Sequence, residues 1–206
     1  MTITLNLATA AKLLNCSEPT QAGTITGAEI DSRQVKQGDI FIAIAGEKVD
    51  GHDYIAAARQ AGASAALVSS RQDDALPQLV VDDVVTAFGQ LAQVWREQSQ
   101  CKVIAVTGSN GKTTVKEMLA TILSQHHHVI ATAGNFNNNL GVPLTLFRLQ
   151  ADTEFAVIEM GANHLGEIAE LVQLAKPNVA MINNVSAAHI EGFGSLEGVA
   201  SAKGEI

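Results

Sequence analysis

Cysteine, proline and aromatic residues are scarce in this sequence, and each scarcity removes a class of protein. There are 2 cysteines and 4 prolines in 206 residues, and aromatic side chains make up 4%. The two cysteines, Cys16 and Cys101, lie far apart, which excludes a disulfide scaffold and fits reduced thiols. So few prolines supply no stiff linker, and neither an internal repeat nor a low-complexity tract is present. Positive charge is short as well. Thirteen Lys and Arg against 21 Asp and Glu leave a formal net charge of −8, which argues against a surface built for nucleic acid or anionic lipid. No apolar run approaches the ~20 residues that cross a bilayer. The opening MTITLNLATAAKLL has neither the basic start nor the long apolar core of a secretory signal. The expectation is a soluble cytoplasmic chain with no membrane insertion and no nucleic-acid partner.

What is present is a globular composition, 47% hydrophobic and 17% charged, long enough for one or two domains. The sequence is organised around CKVIAVTGSNGKTT, residues 101–114. Val103 to Val106 read as a buried strand that breaks at Gly108 and Gly111. Val115, Met118, Leu119, Ile122 and Leu123 then recur at helical spacing. Strand, glycine loop and helix form the setting of a phosphate-binding loop, in which glycine lets successive N–H groups converge on one anion at the positive end of the helix. Lys112 supplies a cation for the β/γ phosphates, and the Thr113 hydroxyl is placed for Mg²⁺. The general pattern G-x-x-x-x-G-K-[ST] has Val106 where its first glycine belongs, so the motif is the shorter TGSNGKTT. A glycine turn that merely joins a strand to a helix would need no lysine and no paired hydroxyls there.

In chain order, a short helix is expected over Ala8–Asn15, with strands over Thr24–Ile30 and Asp39–Ile44. Asp50-Gly51 marks a turn. Asp53 is expected to cap a helix that runs through Ala61 and stops at Gly62. Short strands follow at Ala65–Val68 and Leu79–Val81. A long helix begins at Asp82-Asp83, and Val84, Ala87, Phe88, Leu91, Val94 and Trp95 form its core stripe. The division into domains is set at 1–82 and 83–206. His126-His127-His128 reads as a solvated helix end, because three adjacent histidines of regular structure cannot all face one metal.

Strands at Val129–Thr132, Phe155–Met160 and Val179–Asn183, with a helix over Glu167–Ala175, give the strand–helix alternation of an α/β protein with a parallel sheet. Ligands of such sheets lie at the carboxyl ends of the strands. That edge would gather Lys112, Thr113, Glu159 and the residues after Asn184. Glu159 stands at a strand end following the phosphate loop, where nucleotide enzymes place a metal-directed carboxylate. AGNFNNNLGVP crowds Asn135, Asn137, Asn138 and Asn139 between Gly134 and Gly141, as an asparagine-rich turn or as amides facing a polar ligand. Taken singly, His189 reads as a hydrogen-bonded structural histidine and Lys203 as a solvated helix lysine.

Together, TGSNGKTT (107–114), Glu159, NNVSAAHIEGFGS (183–195) and the lysine of SAKGEI resemble the Mur ligases, ATP-dependent amide-forming enzymes of peptidoglycan precursor synthesis. The same central domain occurs in folylpolyglutamate synthetases. GNFNNNLGVPLTL (134–146), EMGANHLGEI (159–168) and DSRQVKQGDIFIAIAGEKVDGHDY (31–54) point within the family to the addition of D-alanyl-D-alanine to UDP-N-acetylmuramoyl-tripeptide. The resemblance implies a small N-terminal α/β substrate domain followed by the first part of a P-loop parallel-sheet ATPase domain. It implies ATP at Thr107, Gly108, Ser109, Asn110, Gly111, Lys112, Thr113 and Thr114, and Mg²⁺ at Thr113 and Glu159. His189 and a carbamylated Lys203 would hold a second Mg²⁺, so that Lys112, Glu159, His189 and Lys203 carry the catalysis. Carbamylation requires a neutral amine, which burial favours, and yields the hard oxygen donor that Mg²⁺ prefers.

By the same resemblance, Ser32, Arg33, Glu47 and Lys48 face the uridine diphosphate end of the substrate. Asn135, Asn138 and Asn139 approach the muramoyl peptide. Family members run well beyond this length, so the resemblance implies a monomeric N-terminal fragment, inactive alone. It would stop mid-helix at Ile206, with Lys203 too near the end to be buried and with an open strand edge at Asn183. The rivals are a Mur ligase adding a different amino acid and a non-catalytic nucleotide-sugar-binding module. A P-loop GTPase would need a guanine-reading N-K-x-D segment, which does not follow.

Overall fold

The computed structural model describes residues 2–17, 19, 21–187 and 190–206, with Ile190 and Glu191 described by backbone alone. The chain forms two compact units, Met1–Trp95 and Arg96–Ile206. The helix that the sequence reading sets at the head of the second domain therefore falls almost wholly in the first unit.

In the first unit β1 (Leu5–Asn6) leads directly into α1 (Leu7–Leu13) and pairs antiparallel with β2 (Thr24–Ile25). Asn6 caps α1, its Oδ1 accepting from the Ala8 amide at 2.8 Å. The strands β3 (Gly27–Glu29), β4 (Asp39–Ile42), β5 (Ala65–Val68) and β6 (Gln78–Val80) form a parallel sheet in that order. Every residue of β4 and β5 is buried, as expected of central parallel strands covered on both faces. The short α2 (Ile55–Ala61) lays Ile55 and Ala58 against Phe41, Ala43, Ala66 and Val68 in one cluster. A single 3₁₀ turn, Gly51–Tyr54, precedes α2, and Asp50 caps it, not Asp53. The reason is local: Asp50 Oδ1 accepts from the His52 amide at 2.9 Å, two residues on. The long α3 (Val84–Glu97) buries Val84, Ala87, Phe88, Leu91 and Trp95 of the stripe read from the sequence and leaves Val94 half-buried.

The second unit is a four-stranded parallel sheet built from β7 (Lys102–Thr107), β8 (Val129–Ala131), β9 (Phe155–Glu159) and β10 (Val179–Ile182), in the order β10-β7-β9-β8. The helices α4 (Lys112–Leu123), α5 (Gly141–Phe147) and α6 (Glu167–Ala175) connect successive strands, and α7 (Ile190–Phe193) and α8 (Leu196–Lys203) follow. The register sets Ile182 beside Thr107 and Val106 beside Glu159, so the carboxyl ends of β10, β7 and β9 open onto one edge.

The apolar period of α4 is as read, with Val115, Leu119 and Leu123 half-buried, but part of the stripe faces outward. Met118 is 59% and Ile122 64% exposed, whereas Lys116 is fully buried. All four residues of β10 are exposed, and it stands at the sheet's edge, as expected for the strand ending near Asn183. At the other end, α8 closes at Lys203 and is followed by a turn, so residues 204–206 do not lie in mid-helix. Glu205 reaches back to accept from the amides of Gly166 at 2.8 Å and Ala169 at 3.2 Å, covering the start of α6. No helix among the described residues is long and apolar enough to cross a membrane.

Candidate functional site

The glycine loop between β7 and α4 owes its shape to backbone that only glycine adopts cheaply. Gly111 caps α4 at φ +73°, and a Cβ there would stand 2.8 Å from the Asn183 side-chain nitrogen. From Gly111 to Thr114 the amides begin the helix and have no intrahelical acceptor, so they point to an anion at its positive end. Lys112 Nζ lies over the loop and donates to the Gly108 carbonyl at 2.8 Å. Thr114 sits exposed in the first turn of α4.

The first half of the motif does a different job. Thr107 is buried, and its hydroxyl donates to the Met160 carbonyl at 2.8 Å. Ser109 exchanges two hydrogen bonds with Ser186, its hydroxyl donating to the carbonyl and accepting from the amide, both at 3.0 Å. The Asn110 amide donates to Asn184 Oδ1 at 3.0 Å, and its carbonyl accepts from Asn183 Nδ2 and Asn184 Nδ2 at 2.7 and 3.0 Å. Residues 183–186 thus brace the loop, leaving the turn 111–114 to face a ligand.

Glu159 ends β9 beneath the first turn of α4 and is 1% exposed. Both its oxygens are held: Thr113 Oγ1 donates to Oε2 at 2.9 Å and Asn137 Nδ2 to Oε1 at 2.7 Å. Its amide donates to Thr132 Oγ1 at 2.9 Å. Asn137 belongs to the asparagine loop, whose close packing shows at Gly141. A Cβ on Gly141 would fall 2.2 Å from the Phe136 carbonyl carbon and oxygen. Asn138 Oδ1 accepts from the amides of Leu140 and Gly141 at 3.2 and 2.9 Å, which sets the start of α5. Asn135 and Asn139 are exposed. The asparagine that reaches Glu159 is therefore Asn137, which the run of four contained but the site residues read from the sequence did not.

The lysine of α8 departs from expectation. Lys203 is 2% exposed, although it was expected to lack burial, because α8 is pinned to α6 through Glu205. Its Nζ stands 5.4 Å from the centre of the Phe193 ring. Burial, then the charge of Lys112, lower the Lys203 amine from the usual lysine range, while Glu167 and Glu205 oppose them. The influence of Lys112 on Lys203 is like-charge repulsion from the lysine of the glycine loop. His189 lies outside the described residues.

In the first unit Ser32 and Arg33 occupy the turn after β3, and Glu47 and Lys48 an exposed bend between Ala45 and Asp50. Asp31 grips the Arg33 guanidinium through Nε at 2.9 Å and Nη2 at 2.6 Å. These bonds hold the Asp31 carboxyl far below the usual carboxylate range and raise Arg33. The bend carrying Glu47 and Lys48 is anchored by His52. Ser69 N–H donates to His52 Nε2 at 3.0 Å, so Nδ1 carries the proton and donates to Asp50 Oδ1 at 2.6 Å.

Lys116 and Thr132 were missed from the sequence, and the segment 183–186 was placed at the site's edge without its role as the brace. Only the brace left a signal, the polar run NNVS directly after an apolar strand. Among the described residues no three His, Cys, Asp or Glu side chains gather as a metal cluster. The oxygens of Thr113 and Glu159 nevertheless suit Mg²⁺, which takes one or two protein oxygens and fills its shell with phosphate and water.

The description "Mur ligase family, catalytic domain" matches residues 24–127, and "Mur ligase middle domain" matches residues 106–206. The chain is 52% identical over 191 residues to UDP-N-acetylmuramoyl-tripeptide--D-alanyl-D-alanine ligase of Escherichia coli (strain K12), covering 89% of this chain and 42% of the relative. It is 50% identical over 182 residues to the ligase of the same name from Haemophilus influenzae, covering 85% and 40%. Among solved structures, MurF from Acinetobacter baumannii superposes with a TM-score of 0.87 at 40% identity, over 98% of this chain and 46% of that one. MurF ligase from Thermotoga maritima in complex with ADP gives 0.78 at 36%, over 87% and 42%. The chain spans about two fifths of the length of the curated relatives it matches.

Proposed function

The chain belongs to the Mur ligase family, and from that membership we propose that it is the leading part of the ligase that adds D-alanyl-D-alanine to UDP-N-acetylmuramoyl-tripeptide. In this reading residues 1–82 open the UDP-sugar domain, and 83–206 hold the first part of the ATP-binding domain. The observation that carries it is the Thr113–Glu159 contact at the mouth of the glycine loop. It sets a hydroxyl and a buried carboxylate beside four helix-start amides and Lys112, the parts that phosphoryl transfer needs.

The peptide carboxylate attacks the γ-phosphorus of ATP, the bond to the β-phosphate oxygen breaks, and ADP leaves an acyl phosphate. The D-alanyl-D-alanine amine then attacks the acyl carbon, loses a proton and releases inorganic phosphate. Lys112 and the amides of 111–114 stabilise the charge on the transferring group, and the rest is positioning. Thr113 and Glu159 would hold Mg²⁺, which neutralises phosphate charge when bound, and Lys203, as a carbamate, would join His189 at a second ion. Ser32, Arg33, Glu47 and Lys48 recognise the uridine diphosphate end. Asn135, Asn138 and Asn139 meet the muramoyl peptide.

Lys112→Ala in a full-length ligase carrying this segment tests the reading. Phosphate release with ATP, UDP-N-acetylmuramoyl-tripeptide and D-alanyl-D-alanine should fall about 100- to 1000-fold with circular dichroism unchanged. Near-wild-type turnover would overturn it. Calorimetry separates it from a GTPase: the UDP-muramoyl peptide and ATP bind, and GTP does not.

A further inference from the structure

Lys116 is a buried charge that this mechanism does not use. It lies on α4, three residues after Thr113 and so on the same helix face, and its side chain is sealed from solvent. An ammonium group has three N–H donors, and three acceptors surround this one. Nζ stands 2.7 Å from the Thr132 carbonyl, 3.3 Å from the Gly134 carbonyl and 2.8 Å from Glu117 Oε1. A lysine enclosed in this way is costly to bury unless its partners are all in place. The carbonyls it holds open the asparagine loop directly after β8.

Two contacts run from that loop to Glu159. Thr132 accepts the Glu159 amide on its hydroxyl, and Asn137 donates to Glu159 Oε1. Residue 132 is thus tied by its carbonyl to α4 and by its hydroxyl to the last residue of β9. Thr113, on the same face of α4, holds the other oxygen of the carboxylate.

We infer that Lys116 is a positioning residue of the ligation reaction: it latches the start of the asparagine loop to the phosphate-loop helix, so that Asn137 and Thr113 fix the two oxygens of Glu159 from opposite sides. The inference rests on the ligase reading for its kinetic consequence, but the latch itself is a property of this chain. Lys116 meets no ligand and acts only through the loop.

The test has two arms. In the 206-residue chain, Lys116→Met removes the donors at nearly constant volume. Hydrogen exchange should then lose protection over residues 132–142, while β7 and β9 keep theirs. Unchanged exchange over 132–142 overturns the inference whatever the enzyme does. In a full-length ligase carrying this segment, Lys116→Met should raise the Mg²⁺ concentration for half-maximal turnover about 10- to 100-fold, with the KM for D-alanyl-D-alanine unchanged. Asn137→Ala should show the same signature. The double variant should be no worse than either single one, because both act on Glu159 by one route. Additive losses, or an opened loop with wild-type Mg²⁺ dependence, overturn it. If the unaltered full-length protein shows no ligation, the ligase reading fails while the exchange arm still decides the latch. If Lys116→Met does not fold, Lys116→Gln, which is one atom shorter and carries no ammonium to reach the Thr132 carbonyl, is held to the same outcomes.

Discussion

The hydroxyl of Thr113 donates to Oε2 of Glu159 at 2.9 Å, joining the first turn of α4 to the last residue of β9. The two residues stand 46 positions apart in sequence. They meet because parallel pairing of β7 with β9 puts Val106 beside Glu159, just before the loop turns back into the helix. The contact orients a carboxylate that is almost wholly buried, and an orienting hydroxyl is replaceable only by another hydroxyl. In a full-length ligase, Thr113→Ser is therefore expected to keep most activity and Thr113→Val to lose about 10- to 100-fold in kcat/KM. Steady-state kinetics of the two variants checks this. A Thr113→Val variant as active as Thr113→Ser would mean that the Thr113 oxygen is not what matters.

Arg33 gives a prediction confined to one substrate. Its guanidinium is held out in solvent by Asp31, which fixes its direction without burying it. Arg33→Ala should raise the KM for the UDP substrate about tenfold or more, with the KM for ATP nearly unchanged, since a charge-assisted bond to phosphate is worth ~1.5–3 kcal/mol. Asp31→Asn should show a weaker form of the same effect. Equal shifts for both substrates would assign Arg33 a structural role.

Much of this arrangement is legible in the sequence because local chemistry and fold agree. The strand, glycine loop and helix around TGSNGKTT, and Glu159 at a strand end, follow from period and from glycine placement alone. What escapes has physical causes. The seven-residue α5 carries Pro143 in its first turn and is set by the Asn138 side chain, so its sequence looks like a turn. The burial of Lys116 on α4 is not legible, because period marks an apolar stripe and cannot reveal the carbonyls of Thr132 and Gly134, 16 and 18 residues on, that accept from it. Lys203 was read as exposed because its burial depends on Glu205 closing onto α6, a contact 39 residues away in sequence.

The cap of α3 predicts a pH dependence. Asp83 accepts from the Thr86 hydroxyl at 2.7 Å and from the amides of Val85 and Thr86 at 2.9 and 3.1 Å. These bonds, the Thr86 hydroxyl first, hold its carboxyl below the usual aspartate value. The folded chain therefore favours the charged form. Its contribution is fully present above the ordinary value of about 3.9 and is lost as pH falls through the depressed one. Asp83→Ala should cost about 1 kcal/mol near neutral pH, and no more, because the site is exposed. That deficit should shrink toward acid, and Asp83→Asn, which keeps an accepting oxygen but no charge, should show a smaller deficit that shrinks in the same way. Thermal unfolding at stepped pH measures it. A deficit for Asp83→Ala that stays constant into strong acid would show that the charge plays no part.

Lys203 offers the sharpest check on the proposed second metal position. Its amine is enclosed by α8 and faces the Phe193 ring, and both burial and the nearby charge of Lys112 favour its neutral form. Only a neutral amine attacks CO₂: the nitrogen lone pair bonds to carbon, and the nitrogen then gives up a proton. The product is an anion, so it would relieve the repulsion between Lys203 and Lys112. Carbamylation should thus reach high occupancy on Lys203 within this 206-residue chain in bicarbonate buffer, far above that of exposed lysines such as Lys12. Carbon-13 spectra with labelled bicarbonate give the carbamate signal directly, and Lys203→Met should abolish it. Glu205→Ala frees the two amides at the start of α6 and loosens α8, so it should lower the occupancy through exposure, even though it also removes a charge that favours the protonated amine. A carbamate signal absent from the unaltered chain, or one untouched by Glu205→Ala, would break the link between burial of Lys203 and its chemistry.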